Sequence, residues 1–228
     1  MFHDKGTATG RGTAGHKVME LQRNSAIRAH VHRLSDGTGS GNLSKDGVAR
    51  LFDRLRERGT GAYGLSDVSQ LEHALQSAML AEAQGGSSAL IIAALLHDIG
   101  HLATDADAAL ADIGIDDRHE LAGARMLDRV FGPAVADPVR LHVAAKRYLC
   151  AVEPDYFARL SEDSVRSLAL QGGPFDAAGQ AAFVAEPGHG AAIALRRIED
   201  LAKLQDLATP TLNDYRAMAD ELAAAHVA

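Results

Sequence analysis

The sequence predicts an all-α protein, and three observations support that fold class. The 228-residue chain is 46% hydrophobic but only 4% aromatic, and its apolar residues are mostly Ala and Leu, which lose little conformational entropy in a helix. From Ser69 onward these residues recur at helical spacing. We find no polar–apolar alternation typical of a strand, no glycine-rich phosphate-binding loop and no internal repeat.

Two regions are predicted, an N-terminal extension over residues 1–43 and a helical domain over residues 44–228. The extension is expected to be flexible or weakly structured, because Gly, Ser and Thr recur in KGTATGRGTAG and SDGTGSGN. One short helix is possible near residues 18–34. The four histidines of the extension are interpreted as incidental. Asn42 or Ser44 is expected to cap a helix that ends at Arg58.

Seven further helical segments are predicted after the break GTGAYGLS. The first, SQLEHALQSAMLAEAQGG, ends at a glycine pair. The second, SSALIIAALLHDIGH, starts with a serine cap and is almost wholly apolar, which is typical of a central buried helix. In the fourth, ADPVRLHVAAKRYLC, we expect Asp137 as the cap and Pro138 in the first turn. The others are RHELAGARMLDRVFG, SEDSVRSLALQGG, PGHGAAIALRRIEDLAKLQ and TLNDYRAMADELAAAHVA.

Composition excludes several classes of protein. The net charge of −7 combines a basic first quarter with an acidic remainder, and the basic part has neither interleaved aromatic residues nor a nucleic-acid-binding motif. No stretch reaches the roughly 18 apolar residues of a membrane helix, and the N-terminus lacks the apolar core of a signal peptide. We therefore expect a cytoplasmic protein that binds neither nucleic acid nor membrane. Its one cysteine, Cys150, excludes an internal disulfide and a cysteine-based zinc site.

Four histidines lie on the apolar faces of four different predicted helices. They are His73, His97, His119 and His142. Each buried imidazole needs a polar partner, and one metal site would satisfy all four. Imidazole with carboxylate and no thiolate suits iron, manganese or hydrolytic zinc.

Three more side chains are expected beside these histidines. On a helix, Asp98 points about 100° away from His97, so one carboxylate can bridge two ions. His101 lies one turn beyond His97 and is either a ligand or a contact of a substrate anion. Lys146, four residues after His142, places a cation where it can meet an oxyanion beside the metal.

The order His73, His97-Asp98, His119 and His142 resembles that of the HD-domain superfamily, whose members are mostly phosphohydrolases. The local sequence motifs around these residues are similar to those of the HD-domain mixed-valent di-iron oxygenases. The similarity is greatest to the members that cleave 1-hydroxyphosphonates, such as the 2-amino-1-hydroxyethylphosphonate dioxygenases. Myo-inositol oxygenase is a more distant relative. The resemblance spans about residues 63–216 and is carried by QLEHALQ, AALLHDIGH, HELAGA, HVAAKRYL and LQGGP. HVAAKRYL is the most specific, because HD hydrolases need no Lys there.

The resemblance implies an HD-domain helical bundle around a central site with two iron ions, Fe(II) and Fe(III), and O2 as co-substrate. It assigns His73, His97, Asp98 and a late carboxylate to one iron, and Asp98, His119 and His142 to the other. The family pattern RxWDxxxK aligns with residues 196–203. Glu199 is therefore the expected late ligand, with Asp200 as the alternative.

The resemblance also implies the residues that meet a small organophosphonate. Those matched to the phosphonate group are His101, Lys146, Ser164 and Arg196. Aminophosphonate oxygenases carry Tyr-x-x-Glu, in which the Tyr occupies an iron until substrate displaces it and the Glu pairs with the substrate ammonium. Here Tyr63 is kept, and Ser66 stands in place of the Glu. A primary ammonium therefore loses its charge partner unless Asp67 supplies one. Tyr63, His101 and Lys146 are the candidate catalytic residues.

The predicted function is O2-dependent oxidative cleavage of the C–P bond of a small 1-hydroxyphosphonate, which gives phosphate and a carboxylic acid. A metal-dependent phosphohydrolase is the first alternative, since it needs the same histidines and Asp98. An inactive helical module that binds a phosphorylated ligand is the second, and Glu199 and Ser66 are its only support. No oligomeric state is predicted.

Overall fold

Nine α-helices and three short 3-10 helices make up the part of the chain that the structure, a computed structural model, describes. That part comprises residues 40–61, 63, 67–103 and 118–227, with the side chains of residues 40–44 left out. The α-helices are α1 (Ser40–Arg58), α2 (Gln70–Ala83), α3 (Ser88–Leu96), α4 (His119–Phe131), α5 (Pro133–Val152), α6 (Glu162–Leu170), α7 (Ala177–Ala185), α8 (His189–Leu201) and α9 (Arg216–His226). The 3-10 helices are Ile99–Leu102, Phe157–Arg159 and Leu212–Tyr215. No strand occurs among these residues, and the predicted all-α class is confirmed.

Helix α3 lies at the centre of the bundle, as its apolar sequence predicts. Residues 91–96 are all buried, and α3 packs against α2, α5, α8 and α9. Ser87 caps the helix, with its hydroxyl accepting a hydrogen bond from the backbone N–H of Leu90 at 3.2 Å. Full burial of one Leu or Ile side chain contributes about 1.5–3 kcal/mol, so α3 anchors the surrounding helices.

The prediction that α3 continues to His101 is wrong. The α-helix ends at Leu96, and a 3-10 helix starts at Ile99. Between them Asp98 has φ −97° and ψ 11°, which is outside the α-helical region. The chain turns here because Gly100 packs directly on the start of α4. A Cβ atom at Gly100 would lie 2.0 Å from the carbonyl oxygen of His119. The turn therefore brings the segment after α3 against the first residue of α4.

Helix α5 begins at Pro133, five residues before Pro138, where a helix capped by Asp137 would begin. Pro133 occupies the first helical position, where its missing N–H leaves no donor unpaired. Pro138 consequently lies inside the helix and cannot donate to the carbonyl four residues before it. Asp137 accepts a hydrogen bond from Arg140 Nε at 3.3 Å. The expected capping role of Asp137 is wrong.

Other element boundaries also differ from the prediction. Helix α1 starts at Ser40 and α8 ends at Leu201. Helix α7 was not predicted, because Pro174 and Gly179 obscure its short Ala-rich run. Asp176 caps it by accepting a hydrogen bond from Gly179 N at 2.8 Å. The extension and its possible helix fall almost entirely outside the described residues, and the division at residue 43 stays a prediction.

The described helices carry no membrane-spanning candidate, since none combines the length and the apolar character that a bilayer requires.

Replacing Gly100 with Ala should destabilise the fold, because the new methyl group would overlap the backbone of His119. Overpacking of this kind typically costs about 1–3 kcal/mol. The measurement is urea unfolding of the Gly100→Ala variant, with Gly190→Ala as the matched control. Gly190 has open space around its Cβ position, so the control should be neutral or slightly stabilised. Equal stability of both variants would refute the close contact at Gly100.

Candidate metal centre

Six side chains from five parts of the fold form two adjacent groups of candidate metal ligands. The first cluster is His73 of α2, His97 at the end of α3 and Glu199 of α8. The second cluster is Asp98, His119 of α4 and His142 of α5. Within each cluster the potential ligand atoms lie within 4.8 Å of one another. The structure thus brings together every residue predicted as a ligand.

The carboxylate of Asp98 faces both clusters, one oxygen toward each. Its Oδ2 lies 3.2 Å from His97 Nε2 and 4.0 Å from His73 Nε2. Its Oδ1 lies 3.6 Å from His119 Nε2 and 3.8 Å from His142 Nε2. A carboxylate in this position can contact two cations at once, as the resemblance implied.

Three of the histidines are oriented by backbone carbonyls on their other ring nitrogen. The Nδ1 atoms of His73, His97 and His142 lie 2.7, 2.9 and 2.7 Å from the carbonyl oxygens of Ala202, Ala94 and Val139. Because a carbonyl oxygen only accepts, each Nδ1 must carry the proton in these hydrogen bonds. In the neutral ring this tautomer leaves the Nε2 lone pair for the cluster, which is the form that binds a metal.

Burial and charge set the protonation of these groups. Burial lowers the pKa of His73 to about 4 and that of His142 to about 3, so both rings are neutral near pH 7. Burial also acts to lower the pKa of His97, but the adjacent Asp98 carboxylate outweighs it and raises that pKa to about 9. Burial acts to raise the pKa of Asp98, but His97 and its neighbours hold it well below its usual range. The centre is therefore built to keep a carboxylate ionised among imidazoles.

Glu199, and not Asp200, presents a carboxylate oxygen to the first cluster. Its Oε1 accepts a hydrogen bond from Arg196 Nη1 at 2.7 Å, whereas its Oε2 is buried and has no hydrogen-bond partner among the described residues. Both oxygens of Asp200 are occupied, one by Arg196 and one by the hydroxyl of Tyr156. Since buried polar atoms are nearly always paired, the Oε2 of Glu199 is suited to a cation.

The donor set fits a first-row metal ion. Four imidazoles and two carboxylates without a thiolate suit iron, manganese or hydrolytic zinc. The single cysteine, Cys150, belongs to neither cluster. The unpaired Oε2 of Glu199 and the two-sided position of Asp98 are the features of this chain that a metal would satisfy.

Two buried cations lie on the side of the site formed by α5, α6 and α8. Lys146 Nζ donates to Ser167 Oγ at 2.7 Å, and Arg196 Nη2 donates to Ser164 Oγ at 3.1 Å. Burial, with repulsion from Arg196, lowers the pKa of Lys146 to about 8. Lys146, Ser164 and Arg196, the predicted phosphonate contacts, therefore lie near one another. Ser167 was missed, although its spacing of three residues from Ser164 places it on the same helical face.

Tyr63 and His101 each cover one cluster. The ring of Tyr63 stacks on His73 with centroids 3.8 Å apart, and the ring of His101 stacks on His119 at the same distance. His101 reaches this position from the 3-10 helix and not from one further turn of α3. Burial, reinforced by Asp98, raises the pKa of Tyr63 well above its usual value.

The residues expected to select the substrate are only partly described. Ser66 lies outside the described residues. Asp67 is exposed.

Comparison with known proteins places this centre in a family context. Residues 71–170 match the HD domain family, and this range includes all the histidines of both clusters. The chain is 42% identical over 180 residues to the [1-hydroxy-2-(trimethylamino)ethyl]phosphonate dioxygenase (glycine-betaine-forming) of Leisingera caerulea. The matched region covers 79% of this chain and 90% of that protein. The chain is also 46% identical over 169 residues to the hydroxymethylphosphonate dioxygenase of Gimesia maris. That match covers 74% of this chain and 84% of that protein. The HD match and the dioxygenase relatives imply that a metal is bound.

The Asp98→Ala variant should lose bound metal from both clusters while remaining helical. Its carboxylate faces the histidines of both clusters, so its removal would take a charged ligand from each. Metal content by elemental analysis and helicity by circular dichroism test this expectation. Asp137→Ala, which removes a carboxylate that pairs with Arg140, should keep its metal. Normal metal content in Asp98→Ala would mean that the centre is wrongly assigned.

Proposed function

Because the chain belongs to the family of HD-domain phosphonate dioxygenases, we propose that it uses O2 to cleave the C–P bond of a small 1-hydroxyphosphonate. The position of Asp98 between the two clusters, with buried Lys146 and Arg196 nearby, is the observation that most favours this function. It combines a place for redox-active metal ions with cations for a phosphonate dianion.

The proposed reaction balances without an external reductant. The substrate carries hydrogen, hydroxyl and phosphonate on one carbon, and its C–H and C–P bonds break together with the O–O bond. Each of these two bonds gives up an electron pair to O2. One oxygen atom enters the carboxylate and the other enters the phosphate, and one proton is released.

The metal centre would consist of two iron ions. In this proposal the residues of the first cluster would hold one ion and those of the second cluster the other, with Asp98 as a shared ligand. A bound Fe(II)/Fe(III) pair would supply O2 activation and Lewis-acid contacts to the substrate oxygens. Glu199 is the late ligand, since its Oε2 lacks another partner among the described residues while both oxygens of Asp200 are engaged.

The residues of the chain would bind and orient the phosphonate. Lys146 now donates to a neutral hydroxyl and can instead donate to a phosphonate oxygen, a stronger charge-assisted contact. Ser164 accepts from Arg196, so its own hydroxyl proton is available for the anion. His101, held against His119, would complete the contacts. Fixed donors of this kind hold the C–H bond in one orientation and need no reorganisation during the reaction.

Tyr63 would protect the first cluster between turnovers. Its ring lies on His73, so a substrate that reaches the ion there must displace it. This arrangement would limit oxidation in the absence of substrate.

Neither alternative function gains a specific observation. A phosphohydrolase needs the same ligands, but the two relatives described above are named dioxygenases. The inactive module depended partly on the loss of the ligand at position 199. Glu199 lies beside His73 and His97, and one of its oxygens has no hydrogen-bond partner in the part of the chain that the structure describes.

Purified protein should contain iron, give a mixed-valent di-iron EPR signal and consume one O2 for each phosphate released. The test is a panel of 1-hydroxyphosphonates with O2 uptake and phosphate release measured in the same sample. Phosphate release under anaerobic conditions would indicate a hydrolase instead. Protein that binds no metal would favour the inactive module.

A primary amine on the substrate should be disfavoured, because Ser66 stands where the resembled aminophosphonate oxygenases carry a Glu. A charge-assisted hydrogen bond contributes about 1.5–3 kcal/mol, which corresponds to roughly 10- to 150-fold in selectivity. We expect the protein to prefer a trimethylated or nitrogen-free analogue over 2-amino-1-hydroxyethylphosphonate. The Ser66→Glu variant should shift preference back toward the amine.

The measurement is kcat/KM for the three substrates on the wild type, Ser66→Glu and Ser66→Gln. The Gln variant has the same size as the Glu variant without its charge, and should leave the preference unchanged. A tenfold preference of the wild type for the primary amine would show that this interpretation of Ser66 is wrong.

A further inference from the structure

Arg196 is the centre of a closed cycle of hydrogen bonds that the proposed function does not use. This guanidinium is almost completely buried, with 2% of the residue exposed. Its Nε donates to the hydroxyl oxygen of Tyr156 at 3.2 Å. That hydroxyl donates to one oxygen of Asp200, and the other oxygen of Asp200 accepts from Nη2 of Arg196. The three side chains thus bind one another in a ring.

The cycle fixes the direction in which the rest of the guanidinium points. An Arg side chain has five N–H donors in one rigid plane. Tyr156 and Asp200 occupy one edge of that plane, Ser164 takes a further donor of Nη2, and Nη1 donates to Glu199 Oε1 at 2.7 Å. Because the fork is rigid, holding one edge sets the position of Nη1 as well.

The two carboxylates that follow Arg196 on α8 have different hydrogen-bond partners. Arg196, Glu199 and Asp200 stand at positions i, i+3 and i+4 of α8, so they share one face of the helix. Asp200 has both oxygens engaged within the cycle. Glu199 gives Oε1 to Arg196, its Oε2 has no hydrogen-bond partner among the described residues, and the side chain offers an oxygen to the first cluster. A Glu side chain has one more rotatable bond than the Asp of the family pattern. More orientations of the side chain must therefore be excluded to hold its carboxylate in one place.

We propose that Tyr156 and Asp200 are positioning residues for the metal ligand Glu199 and act through Arg196. They hold the guanidinium, the guanidinium holds Oε1, and Oε2 is thereby directed to the ion beside His73 and His97. The inference rests on the proposed function only in that the first cluster binds a metal. Mutation of a residue that hydrogen-bonds to a metal ligand typically lowers metal affinity or activity by about 10- to 100-fold.

A purely structural role for the cycle can be separated from this one. The segment that carries Tyr156 is also attached to α8 by Arg197, which donates to both carboxylate oxygens of Glu153. The Tyr156→Phe variant removes only a hydroxyl and keeps the buried ring, so the attachment of the segment should persist. Arg197→Gln instead weakens the attachment and leaves the cycle intact.

The experiment is a chelator titration of the full-length, iron-loaded protein in the absence of substrate. In Tyr156→Phe and Asp200→Asn, one metal equivalent should be released at about 10- to 100-fold lower chelator concentration than in the wild type. The second equivalent should be released as in the wild type, because the hydrogen bonds of the cycle are made among Tyr156, Arg196 and Asp200 and not to residues of the second cluster. Tyr148→Phe, which removes a hydroxyl from a ring that packs on Phe183, and Arg197→Gln should match the wild type throughout.

Release curves of the two variants that superimpose on the wild-type curve would overturn the proposal. So would an equal shift of both equivalents, since that indicates general loosening of the fold. Wild-type protein that binds no metal would overturn this inference and the proposed function together. Selective loss of one equivalent in protein that releases no phosphate from any hydroxyphosphonate would leave the positioning role standing and refute the proposed reaction alone.

Discussion

The two-sided contact of Asp98 is the constraint on which the rest of the site depends. One oxygen must reach the histidines of α2 and α3 while the other reaches those of α4 and α5. The chain meets this requirement by ending α3 at Leu96 and turning at Asp98. The turn is possible because Gly100 leaves room for the backbone at the start of α4. Backbone packing thus sets the geometry of the centre.

Ends of helices also determine how the imidazoles are presented. The last carbonyl groups of a helix have no N–H of the helix to accept from. Two carbonyls at or just after helix ends instead accept hydrogen bonds from histidines of the first cluster. Ala94, in the last turn of α3, accepts from His97, and Ala202, just after α8, accepts from His73. The chain therefore satisfies two orphan carbonyls and fixes two ligand tautomers with the same hydrogen bonds. The arrangement couples the lengths of α3 and α8 to the first cluster, because a helix that ended elsewhere would present a different carbonyl.

The sequence predicted which side chains come together better than it predicted the elements that carry them, and the difference has a physical cause. Placement of His73 or His142 on an apolar helix face depends on local periodicity, which one sequence displays. The end of α3 and the start of α5 depend on contacts with distant segments, so composition alone misplaced them. The choice between Glu199 and Asp200 is of the same kind. Adjacent residues on a helix differ by about 100° in direction, and only the tertiary contacts of Arg196 and Tyr156 distinguish them.

The two buried cations of the site are not equivalent, and the difference bears on which one meets an anion. Arg196 contacts two carboxylates, so its charge is compensated within the protein. Lys146 is 3% exposed, and its hydrogen bond among the described residues is to the neutral hydroxyl of Ser167. A buried ammonium without a carboxylate in contact is costly, which agrees with the lowering of its pKa to about 8. An incoming dianion would relieve that cost at Lys146 but not at Arg196. In the proposed function, Lys146 would therefore be the principal anion contact, and Arg196 would chiefly order Ser164 and Glu199 beside it.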